Sequence, residues 1–129
     1  MFRSPQVVLF SADVTRAAAF YESLGFTETF RVPEDGEPIH VDLTLDGYKI
    51  GIASVQSTRD DHGLQPVAEG QRAAVVLWTD DTPKAYERVV EAGAPALAAP
   101  HEWLGRLLVA WTADPDGHPI QMVQPLPRT

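Results

Sequence analysis

His40 and Asp42 stand two residues apart in the run Ile39-His40-Val41-Asp42-Leu43-Thr44-Leu45. Side chains alternate along a strand, so His40, Asp42 and Thr44 share one face and Val41, Leu43 and Leu45 the other. An imidazole beside a carboxylate can contact a ligand, carry a proton or form a plain hydrogen-bonded pair. The same alternation in Gln6-Val7-Val8-Leu9-Phe10 and Ala74-Val75-Val76-Leu77-Trp78 groups Gln6, Val8 and Phe10, and likewise Ala74, Val76 and Trp78. Phe10 and Trp78 thus occupy equivalent places, where two aromatic faces can clamp a planar ligand or simply fill a cavity. Gln6, His40 and Gln121 supply polar groups to an otherwise apolar surface, which is the makeup of a small-molecule pocket.

The remaining candidates have plainer readings. His62 lies in a polar stretch, His101 follows Pro100, and His118 sits beside the Asp116-Gly117 turn, so surface or turn roles are expected for all three. Trp103 in Trp103-Leu104-Gly105-Arg106 is placed at a pocket rim, and Arg106 either orients an anionic group or pairs on the surface. Tyr48 and Trp111 divide between pocket and dimer interface. Asp80, Asp81, Asp114 and Asp116 are explained by local hydrogen bonding in turns and caps.

The elements that must position these residues are legible from periodicity and turn chemistry. Val7 to Phe10 reads as a strand, Asp13 as an N-cap, and Val14 to Leu24 as a helix ending at Gly25, with Ala17, Phe20, Tyr21 and Leu24 on its buried face. Strands follow at Thr27 to Val32, Ile39 to Leu45 and Tyr48 to Val55, the last two joined at Asp46-Gly47. Gln56 to Arg72 is polar, holds Gly63, Pro66 and Gly70, lacks a sustained period and reads as a connector. Val75 to Asp81 then repeats Val7 to Asp13 at a shift of 75 − 7 = 68, and Gly93 matches Gly25 at the same shift. Thr82 is the expected cap of the second helix, with Pro83 after it and Ala85, Tyr86, Val89 and Val90 on its apolar face. Later strands are expected at Pro95 to Ala98, Arg106 to Thr112 and Pro119 to Gln124. Val7, Leu9, Ile50, Ile52, Val75, Leu77, Ile120 and Met122 should pack beneath the helices. Each copy alone would expose an apolar sheet face, so the two should pair, within the chain or with a second chain.

The chain has 129 residues, enough for one domain against a prior of about 150 residues. Its 18 acidic and 10 basic residues give a formal charge of −8, which disfavours nucleic acid and suits a neutral or cationic small molecule. Cysteine is absent, so disulfides, thiolate catalysis and Cys-ligated zinc are excluded. No apolar run approaches the roughly 18 residues of a membrane span, and Met1-Phe2-Arg3-Ser4-Pro5 lacks the apolar stretch of a secretory signal. The expectation is a soluble cytoplasmic protein with no membrane partner.

Gln6 to Asp13, followed by Phe20-Tyr21-Glu22-Ser23-Leu24-Gly25-Phe26 and closed by Asp114-Pro115-Asp116-Gly117-His118-Pro119-Ile120-Gln121, resembles the vicinal oxygen chelate superfamily. Glyoxalase I, extradiol dioxygenases, fosfomycin-resistance proteins and bleomycin-binding proteins are its members. The resemblance implies an α+β fold of two paired βαβββ modules, residues 1–56 and 73–129 joined by 57–72, forming a cup-shaped eight-stranded mixed sheet with helices outside. It also implies a homodimer. Catalytic members hold a divalent metal with His or Glu at one equivalent place on each of four strands. Here those places carry Gln6, Gly51, Ala74 and Gln121, two amides with no imidazole or carboxylate. Amides are weak ligands beside those donors, so no metal, no cofactor and no catalytic residue are expected.

The resulting expectation is a metal-free binding protein of the bleomycin-resistance, hence antibiotic-resistance, type. It would sequester a hydrophobic or aromatic compound, cationic ones included, through Gln6, Phe10, His40, Asp42, Tyr48, Trp78, Trp103, Arg106 and Gln121. A metal-dependent lyase, isomerase or dioxygenase is the alternative that the fold permits and the four substitutions oppose. A third reading gives His40 with Asp42 acid/base chemistry without a metal.

Overall fold

The computed structural model describes residues 1, 3–67 and 69–127. Phe2 of the leading segment, Ala68 of the connector, and Arg128 and Thr129 lie outside the described residues. The chain divides into two compact units, Met1–Gly70 and Gln71–Thr129. Each is built on a four-stranded mixed sheet in βαβββ order, giving eight strands and an α+β fold. No helix among the described residues is long and apolar enough to cross a membrane.

In the first unit β1 (Val7–Ser11) leads to α1 (Val14–Ser23), then β2 (Thr27–Val32), β3 (His40–Leu45) and β4 (Tyr48–Ser54). The strand order is β1-β4-β3-β2, with β1 parallel to β4 and the other pairs antiparallel. Asp13 caps α1 by accepting from the Arg16 N–H at 3.1 Å, and the helix stops where Gly25 takes φ +109°, a conformation a Cβ would strain. Val14, Ala17, Ala18 and Tyr21 form its buried stripe, over Val41, Leu43 and Ile52 of the sheet. Tyr21 is wholly buried and meets Phe20 and Phe26 edge-to-face at 5.3 and 5.5 Å. The expected burial of Val7 fails: it is 58% exposed, because α1 packs on β2, β3 and β4 and leaves the start of the edge strand β1 uncovered.

The stretch read as a connector begins with a helix, α2 (Val55–His62). Ser54 caps it by accepting from the Ser57 N–H, Gly63 closes it in the left-handed conformation, and Gln56–Asp60 and Ser57–Asp61 bond across single turns. Only Val55 and Thr58 are buried, so the helix carries no apolar stripe for periodicity to detect. On β2, the Arg31 guanidinium bonds Glu28 at 2.8 Å and holds that carboxyl below its usual range. The pair's contribution is therefore present above the ordinary glutamate pKa and is lost as pH falls below it and through the lowered value of the folded state.

The second unit repeats the plan with β5 (Val75–Trp78), α3 (Thr82–Glu91), β6 (Ala98–Trp103), β7 (Leu107–Ala113) and β8 (Pro119–Pro125), ordered β5-β8-β7-β6. Asp81, not Thr82, is the N-cap, accepting from the Lys84 N–H at 3.0 Å. It stands at 13 + 68 = 81, so the repeat itself marks the position. Thr82 is instead the first helical residue, fully buried, with its hydroxyl donating to the Leu108 carbonyl at 3.1 Å. The strand expected at Pro95 to Ala98 runs instead over Ala98–Trp103, which places His101 and Trp103 in a strand. His118 is no surface residue: it is 3% exposed and bonded to Asp114.

Thr112 is fully buried on the α3 side of β7, and its hydroxyl has no hydrogen-bond partner among the described residues. An unsatisfied buried hydroxyl is costly, and valine matches its shape. Thr112→Val should therefore raise stability by about 1 kcal/mol, measured by urea denaturation; a loss would show that the hydroxyl has a partner in solution.

Candidate functional site

Strand pairing sorts the first unit's residues into rows. One row crosses all four strands as Val8, Gly51, Asp42 and Phe30, and the next as Phe10, Ala53, His40 and Val32. Both lie on the face opposite Leu9, Ile52 and Val41, which turn toward α1. A bulge between Glu28 and Phe30 sets the phase that brings Phe30 onto this open face. Phe30 is 51% exposed and stands edge-on to His40, centroids 6.2 Å apart.

At the centre of the face, Asp42 Oδ1 accepts from Gln6 Nε2 at 2.7 Å and meets His40 Nε2 at 2.7 Å. Gln6, just before β1, reaches Asp42 because parallel pairing of β1 with β4 brings its strand alongside Gly51. The cluster closes over Gly51. A Cβ built there would lie 2.9 Å from Gln6 Nε2, closer than real contacts allow, and a tight 3.0 and 3.1 Å from His40 Cε1 and Nε2. The Asp42 and His40 side chains keep 13% and 27% of their surface exposed, so the polar centre is sheltered yet open to a ligand.

The second sheet presents the corresponding rows Val76, Gln121, Trp111, Ala98 and Trp78, Val123, Val109, His101. Where the first sheet carries Asp42 and His40, the second carries Trp111 and Val109, and where the first has Phe10 it has Trp78. Trp78 is 66% exposed and Gln121 half-buried. The imidazole–carboxylate pair is thus confined to the first sheet, and the second offers a mainly aromatic and aliphatic face with one amide and, on its edge strand, His101, whose Nδ1 bonds the Ala99 carbonyl.

Of the sequence candidates, Gln6, His40 and Asp42 come together, with Phe10 in the adjoining row. Gln121 and Trp78 share the open face of the second sheet. Trp103 ends β6 and is half exposed; Arg106 is exposed in the turn after it, its N–H donating to the Trp103 carbonyl at 3.3 Å. Tyr48 falls in the register of Ile50 and Ile52, away from the polar cluster, at the hairpin end and 79% exposed. Phe30 and Lys49 were not foreseen. Lys49 pairs with Thr44 in the register of the open face, and alternation from Gly51 was the available signal. For Phe30 the bulge hid it, since an unbroken count in β2 does not fix its phase.

The positions where the family resemblance places metal ligands carry an amide and a bare glycine in the first unit and a methyl and an amide in the second. Among the described residues no three His, Cys, Asp or Glu side chains gather to hold a metal ion. The donor set does not fit a divalent metal of that kind.

The sequence profile of the Glyoxalase/Bleomycin resistance protein/Dioxygenase superfamily matches residues 3–122. No curated protein matches the chain. Among solved structures, hypothetical protein SA1046 from S. aureus is similar at 21% identity and a TM-score of 0.79, over 95% of this chain and 94% of that one. TioX from Micromonospora sp. ML1 is similar at 22% identity and a TM-score of 0.75, over 94% and 97%. Lactoylglutathione lyase from Agrobacterium tumefaciens is similar at 20% identity and a TM-score of 0.69, over 94% and 92%. Likeness at these identities establishes the fold and leaves function to the site.

Proposed function

Because the chain belongs to the Glyoxalase/Bleomycin resistance protein/Dioxygenase superfamily, we propose that it is a metal-free member that binds a hydrophobic or aromatic small molecule, in the manner of drug-sequestering relatives. The observation that carries the reading is the Gln6–Asp42–His40 cluster closed over Gly51. A carboxylate ligand's place is taken by a residue with no side chain, and the vacated space is filled by an organic hydrogen-bonding array. Val8, Phe10 and Phe30 flank that array with apolar surface, the combination by which small-molecule sites hold and orient a ligand. A formal charge of −8 favours neutral or cationic compounds over anions. The reading includes a homodimer, and light scattering at a monomer's 14.1 kDa would count against that part.

A thermal-shift screen of aromatic compounds, followed by calorimetric titration of the hits, tests the proposal. Stacked aromatic contacts contribute about 0.5–1.5 kcal/mol beyond buried area, so Phe30→Ala and Trp78→Ala should each weaken a ligand bound against that ring by about 2- to 10-fold. Affinity unchanged in both variants would remove the open sheet faces from the binding surface.

A further inference from the structure

The hydrogen bonds that converge on Asp42 orient the His40 ring. A carboxylate has no hydrogen to give, so the 2.7 Å contact requires His40 Nε2 to carry the proton and Asp42 Oδ1 to accept it. In the neutral ring the lone pair then resides on Nδ1. Among the described residues Nδ1 has no hydrogen-bond partner, and the ring remains partly open to solvent. Asp42 is in turn steadied by Gln6, whose Nε2 has two hydrogens and commits one of them. The open face thus offers an oriented imidazole lone pair, a carboxylate behind the ring, and one spare amide N–H. Apolar side chains stand on either side: Val8 and Phe10 on β1, Phe30 and Val32 on β2. Lys49, which shares the face by register, makes no ion pair with Asp42.

We propose that His40 is a metal-independent general base acting on an apolar carbon acid, with Asp42 as its positioning residue. The inference rests on the binding reading for the ligand's seat and adds turnover to it. The acidic C–H bond breaks, its proton passes to His40 Nδ1, its electron pair forms a C=C bond to the adjoining carbonyl carbon, and the carbonyl π pair moves onto oxygen. The imidazolium so formed lies against the Asp42 carboxylate, and the second N–H of Gln6 is the donor left for the oxyanion. Where a further C=C bond adjoins the deprotonated carbon, return of the proton from His40 to the far carbon of the dienolate shifts the double bond and completes an isomerisation with no net oxidation and no co-reactant. This arrangement has no counterpart in the second sheet, where Val109 and Trp111 occupy the corresponding places.

The uncharged aromatic carbon acid 5-nitrobenzisoxazole is a suitable probe: removal of its ring proton breaks the N–O bond and releases a coloured nitrile-bearing phenolate. Positioned general bases contribute about 100- to 10,000-fold, so the intact protein should open the probe at least about 100-fold faster than equimolar imidazole. His40→Gln should abolish that excess. Asp42→Asn should lower kcat by about 10-fold or more while leaving KM unchanged, a split that a merely structural role would not produce. His101→Gln is the control, because His101 is exposed and its Nδ1 bonds the Ala99 carbonyl at 2.8 Å; it should leave the rate unchanged. Circular dichroism checks each variant's fold, and if His40→Gln is unfolded the kcat of Asp42→Asn decides. A rate no better than imidazole, an unchanged rate in His40→Gln, or an effect of Asp42→Asn on KM alone overturns the proposal. Calorimetry with the same probe separates the two readings. Binding without turnover overturns general-base action and keeps the binding site, whereas neither binding nor turnover for this probe or the aromatic panel overturns both.

Discussion

Asp114→Ala should destabilise the protein by about 2–5 kcal/mol, because it leaves the buried donors of His118 without an acceptor at about 1–3 kcal/mol each. Asp114 Oδ1 accepts the backbone N–H groups of Asp116 at 2.9 Å and His118 at 2.8 Å, while Oδ2 accepts His118 Nδ1 at 2.8 Å. Both side chains are nearly inaccessible, at 1% and 3% exposure, so water cannot replace the lost acceptor. The turn they hold delivers the chain from β7 into β8, the central strands of the second sheet. Urea denaturation measures the effect. A loss under about 1 kcal/mol, the net value of one ordinary hydrogen bond, would mean the turn is held by its backbone bonds alone.

Gly51→Ala should displace the polar cluster and disable the site. The added methyl would meet Gln6 Nε2 at 2.9 Å and the His40 ring at 3.0 Å, and Gly51 lies on a central strand that cannot retreat without breaking its pairing with β1 and β3. The ends of the Gln6 and His40 side chains must move instead, so the effect falls on the polar cluster rather than on the stability of the sheet. Since Gln6 and His40 meet Asp42 through the same space, the cluster opens, and affinity for any aromatic ligand seated there should fall about tenfold or more. Calorimetry of a thermal-shift hit against the variant reads this directly. Unchanged affinity in a folded Gly51→Ala protein would place the ligand elsewhere.

Much of the architecture was legible because the chain states it twice. The shift of 68 residues located β1 with β5, α1 with α3 and the two glycine stops, and alternation alone put His40 and Asp42 on one face. What periodicity missed had physical reasons. The helix α2 buries only Val55 and Thr58 and is sustained by a cap and by polar contacts one turn apart, so it has the composition of a loop. The strand β6 contains Pro100 and a register shift between Ala98 and His101, which erase the two-residue period. His118 looked like a turn residue because its neighbours are turn residues, but its ring folds back onto the carboxylate four positions earlier and is buried with it.

The site divides in the same way. The pairing of His40 with Asp42 is local and was readable, whereas Gln6 joins them across 36 residues of sequence through the parallel pairing of β1 with β4. Gly51 first stood out as a missing carboxylate. Its structural meaning, space for an amide and an imidazole to close over the strand, emerges only when three strands are side by side. The polar array and the lost ligand set are two aspects of one substitution pattern.

Metal content tests the central claim most directly. The protein should be produced in medium containing zinc, nickel, iron and manganese, dialysed extensively, and assayed by elemental analysis beside its protein concentration. Ligand positions filled by Gln6, Gly51, Ala74 and Gln121 predict far less than one metal ion per chain, with binding of aromatic ligands indifferent to chelators. One zinc, nickel, iron or manganese ion per chain surviving dialysis would contradict the account and restore the metalloenzyme reading.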